Sequence, residues 1–508
     1  MENRRKKSGN SILRAVIVAV SLMLQIGWLL LIILELNYYS TYISLVTSII
    51  ASLAVLRLYS KDTNSAYKLP WIMIIMALPL MGLSLYLLTE ASLSTKGIRR
   101  RMQAIRKKTN RYLRQKTSVI TDLEEKDPAV ANQFRYISDF EKSPVHTDTS
   151  VTYYPHGSFA FEELKKDLEK AEDFIFMEYF IIEDGVCFNQ LREILVRKAR
   201  AGVDVRLMYD DIGSIGLVNW RYARQLNREG IRCQVFNPAL PVLSLFMNHR
   251  DHRKITVIDG KVGYTGGYNL SDEYFGLRFP YGLWKDTGIR LEGEAVKNLT
   301  ATFLELWALT GREEENFDKF LKTSHSVPAS GYVQPFGDSP LDREQSAENA
   351  YINLISHAKR YVWLMTPYLM ITDELRRALE LAAKRGVDVR ILTPGIPDKK
   401  VVYAVTRSYY ADLVRGGVRV FEYSPGFLHA KQCICDGELA MIGTSNLDFR
   451  SLYLHFENNV LLYECQAVKA MEADFLETMA LCREVTGQYR SRFLRYWQCL
   501  LRLFAPLL

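Results

Sequence analysis

Apolar positions along this chain follow two different regimes. Before position 90 they form long unbroken runs, and after about position 150 they form short runs separated by amphipathic stretches. Ala15 to Leu36 is a 22-residue stretch whose strongly polar members are Gln25 and Glu35, and Leu69 to Leu88 is a 20-residue stretch without a charge. Both are long enough to span a membrane as helices. Neither reads as a cleavable signal, because the first lacks a small-residue cleavage site and a second apolar segment follows closely. Between them Ile43 to Leu56 supplies 14 residues, a length that fits a short span or an interfacial helix.

The second regime predicts alternating strands and helices. Phe174 to Phe180 reads as a strand, Asn189 to Ala201 as a helix stopped at Gly202, and Val203 to Tyr209 as the next strand. The pattern then repeats. Tyr361 to Met365 is a strand, Asp373 to Arg385 a helix stopped at Gly386, and Val387 to Leu392 a strand resembling the first copy almost letter for letter. Gly230-Ile231-Arg232-Cys233 and Gly417-Val418-Arg419-Val420 extend the match. The chain is therefore α/β with an internal duplication of period near 180, each half a layered unit. The reading divides it into a hydrophobic anchor at 1–90, a basic juxtamembrane segment and linker at 91–149, a first half at 150–321, a Ser/Pro/Gly-rich linker at 322–334, a second half at 335–488 and a basic tail at 489–508.

Composition and charge change this picture in two places. A length of 508 residues accommodates an anchor plus one large duplicated domain, and seven cysteines without regular spacing argue against a disulfide framework. The net charge of +8 is unevenly spread. Arg4, Arg5, Lys6 and Lys7 precede the first apolar run, and ten Lys and Arg residues between Lys96 and Lys116 follow the last. Both flanks are drawn to the cytoplasmic side, which favours two crossings with 43–56 not crossing, against an alternative of three, and places the large domain in the cytoplasm. Within 96–116, Ile98, Met102, Ile105, Tyr112 and Leu113 fall near helical spacing, so a helix lying on anionic headgroups is expected. The tail, with Arg490, Arg492, Arg495 and Arg502 among apolar residues, reads as a second interfacial segment or as a helix packed on the domain.

The chemistry is carried by a string that occurs twice. His252-Arg253-Lys254 with Asp259 recurs 177 positions later as His429-Ala430-Lys431 with Asp436, and in each copy a glycine follows the histidine by fourteen residues and an asparagine, Asn269 or Asn446, by seventeen. His-x-Lys in extended backbone puts imidazole and ammonium on one face. Two such units supply one imidazole to attack phosphorus and another to protonate the leaving alkoxide, while Lys254, Lys431, Asn269 and Asn446 would bind the nonbridging oxygens. This set needs no metal or other cofactor. An attacking imidazole also needs an acceptor on its second nitrogen, and Asp286 and Glu457 are the candidate orienting carboxylates. Asp259 and Asp436, five residues beyond the lysines, fit a turn or a backbone contact better than a substrate contact. The halves differ by an apolar insertion, Ala239 to Asp251, ahead of His252, read either as a loop that dips toward acyl chains or as one packed on the surface.

The paired motifs, with Tyr209-Asp210-Asp211-Ile212-Gly213-Ser214, Gly266-Gly267-Tyr268-Asn269-Leu270, Trp284-Lys285-Asp286-Thr287, Thr366-Pro367-Tyr368 and Asn446-Leu447-Asp448-Phe449-Arg450-Ser451, resemble the phospholipase D superfamily and within it the bacterial cardiolipin synthases. The resemblance implies two phospholipase D-like α-β-α halves forming one bilobal catalytic unit behind N-terminal transmembrane helices. It also implies a cell-membrane, multi-pass enzyme that takes phosphatidylglycerol among anionic membrane lipids and forms a phosphatidyl-histidine intermediate. By that resemblance His252 is the nucleophile and His429 the general acid, then base. Hydrolysis, or transfer with phosphatidylethanolamine as a partner, is the alternative. A nuclease would use the basic runs but leave the apolar segments idle, so nucleic acid is not an expected partner. Gly267 departs from the superfamily's usual Ser and removes one hydroxyl from the first half.

Overall fold

The computed structural model describes residues 41–61, 63–90, 93–238, 248–311, 315–322, 324–486, 496 and 501–503, with scattered positions between 20 and 34. Most of the run Ala15–Leu36, the apolar insertion at 239–247 and most of the C-terminal tail lie outside the described residues. The strands among the described residues are β1 (Thr149–Tyr154), β2 (Phe174–Tyr179), β3 (Asp204–Asp210), β4 (Arg232–Phe236), β5 (Lys254–Ile258), β6 (Val262–Gly266), β7 (Gly288–Gly293), β8 (Tyr332–Asp338), β9 (Tyr361–Met365), β10 (Asp388–Pro394), β11 (Arg419–Tyr423), β12 (Gln432–Cys435), β13 (Leu439–Gly443), β14 (Glu457–Tyr463) and β15 (Cys482–Glu484).

They build two sheets with the same plan. The first runs β1-β7-β6-β5-β2-β3-β4 and the second β8-β14-β13-β12-β9-β10-β11, with β15 added at the far edge. In each, three parallel strands joined by crossover helices meet an antiparallel meander, β2 against β5 in one and β9 against β12 in the other. The strands β2 and β14 are buried along their whole length, and β2 reads as a nearly continuous apolar run, interrupted by Glu178, because both faces of the sheet are covered. The strand β8 begins at Tyr332, within the stretch 322–334 read as a linker, and is the edge of the second sheet.

Three apolar cores follow from this layering. Helices Gly157–Glu169 and Val186–Arg200 cover the outer face of the first sheet, with Phe161, Leu164, Leu191 and Leu195 packed on Ile175, Leu207 and Tyr264. Helices Ser346–His357, Asp373–Lys384 and Lys400–Arg415 cover the outer face of the second. Between the sheets lies a core shared by both halves, in which helix Val296–Thr310 places Leu299, Phe303 and Trp307 among Phe176 and Ile255 of one sheet and Trp363, Ile434 and Val460 of the other. Separating the halves would expose that core, at roughly 1.5–3 kcal/mol for each large apolar side chain uncovered.

The N-terminal region differs from the sequence reading. Leu69–Leu88, expected as one span, is two short helices, Ser65–Ala77 and Pro79–Glu90, and no helix among the described residues is long and apolar enough to cross a membrane. The break is at Leu78, which the following Pro79 pushes into an extended conformation (φ −136°, ψ 76°). These two helices pack with Thr41–Tyr59 through Ala51, Leu58, Trp71, Ile75 and Tyr86.

The basic segment also differs from its expected role. It forms helix Leu93–Thr109, and its apolar face is taken by protein, since Met102, Ile98, Ile105, Tyr112 and Leu113 all pack into the core shared by the halves. Arg106 fixes this docking. It pairs with Glu141 at 2.9 Å, Glu305 at 3.3 Å and Asp342 at 3.1 Å, three acids from three other parts of the chain. Burial alone would lower its affinity for a proton, but the three carboxylates outweigh it and hold the guanidinium above its ordinary range.

Asp259 and Asp436 serve the fold in a way that sets the register of the catalytic strands. Both occupy the left-handed region, at φ +53° and +55°, in the turns that end β5 and β12. Asp259 accepts the backbone N–H groups of Glu172, Asp173 and Phe174 at 2.8–2.9 Å, and Asp436 accepts those of Lys359, Arg360 and Tyr361 at 2.8 Å. Each aspartate therefore clamps the entry of the neighbouring parallel strand, at the end of its own strand remote from the histidine. Grouped with the catalytic residues in the motif, they are structural clamps instead. Burial would raise the Asp436 carboxyl, yet the three N–H donors hold it below the usual carboxylate range.

Two outcomes are expected. Arg106→Ala, which leaves three carboxylates facing one another at a part-buried site, should lower the unfolding free energy by about 2–4 kcal/mol in denaturant titration, whereas a change under 0.5 kcal/mol would mean the helix docks by its apolar face alone. Asp436→Asn should cost about 1–3 kcal/mol at neutral pH. A depressed carboxylate stabilises above its unfolded pKa, so the Asp436 contribution should be complete above about pH 4 and fade as pH falls further. A difference between wild type and Asp436→Asn that stays constant from pH 7 down to pH 3 would contradict the clamp.

Candidate active site

The site forms where the two halves meet, and backbone pairing positions it. Just before β5 the segment Arg250-Asp251-His252 runs beside Phe456, with the Phe456 N–H donating to the Arg250 carbonyl at 2.8 Å and the His252 N–H to the Phe456 carbonyl at 2.9 Å. Just before β12 the same arrangement recurs, the Lys285 N–H donating to the Phe427 carbonyl at 2.9 Å and the His429 N–H to the Lys285 carbonyl at 2.7 Å. Each histidine is thereby laid beside the residue that precedes the other half's acid.

The consequence is a crossed pairing of imidazoles and carboxylates. His252 Nδ1 lies 2.9 Å and 3.0 Å from the two carboxylate oxygens of Glu457, at the start of β14 in the second half. His429 Nδ1 lies 2.6 Å from Asp286 Oδ2, just before β7 in the first half. Both carboxylates are fully buried, while the side chains of His252 and His429 keep 8% and 7% of their surface, so each ring presents an edge to the opening. Spacing along the sequence finds these two acids, but it cannot find their partners, because the partner choice is made across the interface.

Each lysine turns back toward its own histidine. Lys254 Nζ bonds the His252 carbonyl oxygen, and Lys431 Nζ bonds the His429 carbonyl oxygen and sits 2.7 Å from His429 Nδ1. Burial pulls Lys254 down to about 8 and Lys431 down to about 7, against the pull of the surrounding carboxylates. Burial and then the neighbouring lysine lower both histidines, His429 to about 4 and His252 well below its ordinary value. Both imidazoles are therefore neutral near pH 7, each with Nδ1 against a carboxylate. Glu457 is pushed up to about 8 by burial, with Lys254 and the donated hydroxyls of Ser451 and Thr444 opposing.

The asparagines divide. Asn269 is used up within the protein, its carbonyl oxygen accepting the Ile181 N–H at 3.1 Å and its amide donating to Tyr274 Oη at 2.8 Å. It thus holds Tyr274, whose ring stands 5.3 Å from that of His429, and does not present a free amide as expected. Asn446 is buried with a side-chain oxygen that has no hydrogen-bond partner among the described residues. Gly267 has a geometric reason, since a Cβ there would come 2.0 Å from Asp286 Oδ1. Its counterpart Thr444 carries the hydroxyl that supports Glu457, so the half that lacks the hydroxyl has an aspartate packed in its place.

Several contributors have roles that the sequence reading did not assign. Ser451 and Thr444 both donate to Glu457. Trp284 and Phe427 wall His429 at centroid distances of 5.5 Å and 5.8 Å, whereas the equivalent places beside His252 hold His455, at 5.6 Å, and Arg250. Lys285 reaches Asp474 at 2.5 Å and Tyr153 Oη reaches the same acid at 2.7 Å, tying the halves behind the site. Among the described residues His252, His455 and Glu457 bring potential metal-ligand atoms within 4.8 Å of one another. Lys254 is the leading charge that opposes ionisation of His252 after burial, and a dication there would meet the same repulsion.

Glu457→Gln and Asp286→Asn should each lower kcat by about 10²-fold or more with a smaller change in KM, since each removes the acceptor that orients an imidazole in the other half. Turnover within twofold of wild type in either variant would show that the crossed pairs are structural.

Comparison with known proteins agrees with this geometry. A family described as cardiolipin synthase, phospholipase D-like domain, matches residues 164–307 and 351–479, one segment in each half. The chain is 41% identical over 85% of its length to an uncharacterized protein of Streptococcus mutans, covering 94% of it. It is 35% identical to a cardiolipin synthase of Geobacillus sp. strain WCH70, over 88% of this chain and 90% of the other, and 31% identical to one of Oceanobacillus iheyensis, over 92% and 98%. The crystal structure of phosphatidylserine synthase from Haemophilus influenzae Rd KW20 shares the fold at a TM-score of 0.54 and 14% identity, over 73% of this chain and 97% of that one. With two complete His-x-Lys centres sharing one interface, this chain belongs to the cardiolipin synthases of the phospholipase D superfamily and is a phosphatidyltransferase.

Proposed function

We propose that the enzyme joins two phosphatidylglycerol molecules into cardiolipin and glycerol, and that the crossed imidazole–carboxylate pairs carry the reaction. Glu457 accepts a hydrogen bond from Nδ1–H of His252, which keeps the proton on Nδ1 and leaves Nε2 with a free electron pair. His252 Nε2 attacks the phosphorus of the first phosphatidylglycerol, the bond from phosphorus to the glycerol oxygen breaks, and His429 gives that oxygen a proton as glycerol leaves. His429, now neutral, takes the proton from a hydroxyl of the second phosphatidylglycerol. The oxygen of that hydroxyl attacks the phosphorus and releases His252, closing the cycle with cardiolipin.

The electrostatics support this sequence of roles. An incoming phosphodiester anion offsets the charge of Lys254 and Lys431, which are the leading groups, after burial, that hold His252 and His429 in the neutral form. Substrate binding therefore favours the imidazolium that His429 needs as an acid, with Asp286 already in place to stabilise it. The two ammoniums and the side chain of Asn446 face the nonbridging oxygens where charge develops. The names of the relatives and the apolar, basic N-terminal region support a reaction at a membrane, and in this reading the catalytic halves lie on the cytoplasmic side with the apolar runs before position 90 as the anchor.

His252→Ala and His429→Ala should each reduce cardiolipin formation from phosphatidylglycerol by at least about 10⁴-fold, as mass spectrometry of the lipid products would register, because neither imidazole can do the other's work. Phosphatidic acid as the sole product of the wild-type enzyme would instead make it a hydrolase. The pH dependence follows from the lysines. As pH rises through about 7 to 8 the free enzyme loses the charge of Lys431 and then Lys254, so kcat/KM should fall on that limb. An alkaline limb above pH 9.5 would mean that the buried lysines stay charged in the free enzyme.

A further inference from the structure

The loop that carries Asp286 into the site follows the turn that holds Tyr274 beside His429. Between the turn Asp272–Phe275 and Trp284, the sequence Gly276-Leu277-Arg278-Phe279-Pro280-Tyr281-Gly282-Leu283 leaves Leu277 48%, Phe279 56% and Leu283 54% exposed. Isolated exposed apolar side chains are ordinary, but three within seven residues of one loop are a patch. The loop is also held at both ends. Arg278 pairs with Glu183 at 3.0 Å and with Glu273, and Gly282 crosses Gly426 so closely that a Cβ on Gly282 would come 2.4 Å from the Pro425 carbonyl oxygen. Beyond the crossing, Trp284 joins the aromatic wall of His429.

The second half adds to the same rim. The Ile396 N–H approaches the Gly426 carbonyl at 3.4 Å, which sets Ile396 beside the Gly282–Gly426 crossing, and Ile396 is 40% exposed. Val401 follows at 56%, and between them Lys399 and Lys400 are exposed, Lys399 lying over the Tyr368 ring that continues the aromatic wall through Phe427. Apolar tips interleaved with cations, on the side of the site lined by Trp284 and Phe427, have the composition that settles at an anionic bilayer surface.

We propose that this rim, Leu277, Phe279 and Leu283 with Ile396 and Val401, is the surface by which the catalytic halves dock on an anionic lipid bilayer, with His429 facing the membrane side of the cleft. The inference rests on the reading of the substrate as a membrane phospholipid. It explains why the two histidine environments differ, since a lipid headgroup drawn from the bilayer passes the aromatic wall before it reaches the imidazoles.

Photo-crosslinking in the full-length protein tests it. The benzophenone amino acid p-benzoylphenylalanine would be placed at Phe279 and, as a control, at Leu381, an apolar residue 59% exposed on helix Asp373–Lys384. In vesicles of phosphatidylglycerol and phosphatidylethanolamine, irradiation should add one phospholipid mass at position 279 and none at 381; no adduct at 279, or equal adducts at both, would overturn the docking. In parallel, the double variant Phe279→Asp, Leu283→Asp should lose about tenfold in turnover of vesicle lipid and stay within about twofold of wild type on dihexanoyl phosphatidylglycerol below its micellar concentration. Equal losses on both substrates would mean that the loop is structural. An adduct at 279 without cardiolipin synthesis would leave the docking surface standing and remove the proposed reaction instead.

Discussion

Everything in the catalytic centre depends on one arrangement, the burial of two imidazole–carboxylate pairs that each cross the boundary between the halves. A buried carboxylate without a partner costs several kcal/mol, so Glu457 and Asp286 are tolerable only while the opposite histidine and its hydroxyl or backbone donors are in place. The halves are therefore coupled electrostatically as well as through the shared apolar core around helix Val296–Thr310. The parallel backbone bridges Asp251–Phe456 and Lys285–Leu428 fix the register of that coupling. A slip of one residue would turn each acid away from its ring.

Duplication produced two similar centres, and the differences between them follow from packing. Asp286, one methylene shorter than Glu457, sits directly against Gly267, where a side chain would collide. Glu457 occupies the longer path and is supported by Thr444 and Ser451. The side walls diverge in parallel, with Trp284 and Phe427 beside His429, and Phe180, His455 and Arg250 beside His252. A twofold backbone thus presents two chemically distinct approaches to one phosphorus, which a reaction with a departing and an arriving alcohol requires.

The N-terminal third is organised by the same competition between burial and solvation. The apolar face of helix Leu93–Thr109 could lie on headgroups or on protein, and it lies on protein because helix Val296–Thr310 offers a matching apolar surface and Glu141, Glu305 and Asp342 offer acids to Arg106. Its remaining basic residues stay at the surface. Pro79 likewise decides that Leu69–Leu88 is a pair of short helices, a local steric effect that hydropathy averaged over the whole run does not register.

Much of this protein was legible from its residues alone. Periodicity located β2, β3, β9 and β10 and their crossover helices to within about three residues, because apolar positions recur along each strand and glycines, Gly202 and Gly386, stop the helices between them. The repeated His-x-Lys strings are likewise written in the chain, since duplication preserves their internal spacing, and Asp286 and Glu457 stand downstream of them, 34 residues after His252 and 28 after His429. What only the tertiary structure decided is every pairing between segments distant in sequence. It matched each histidine with the acid of the other half, gave Asp259 and Asp436 the particular strand entries they clamp, and closed Asn269 onto Tyr274. The physical reason is common to all of these: a polar side chain is committed by which donors and acceptors come within about 3 Å of it, and that is fixed by sheet register and layer packing, not by order along the chain.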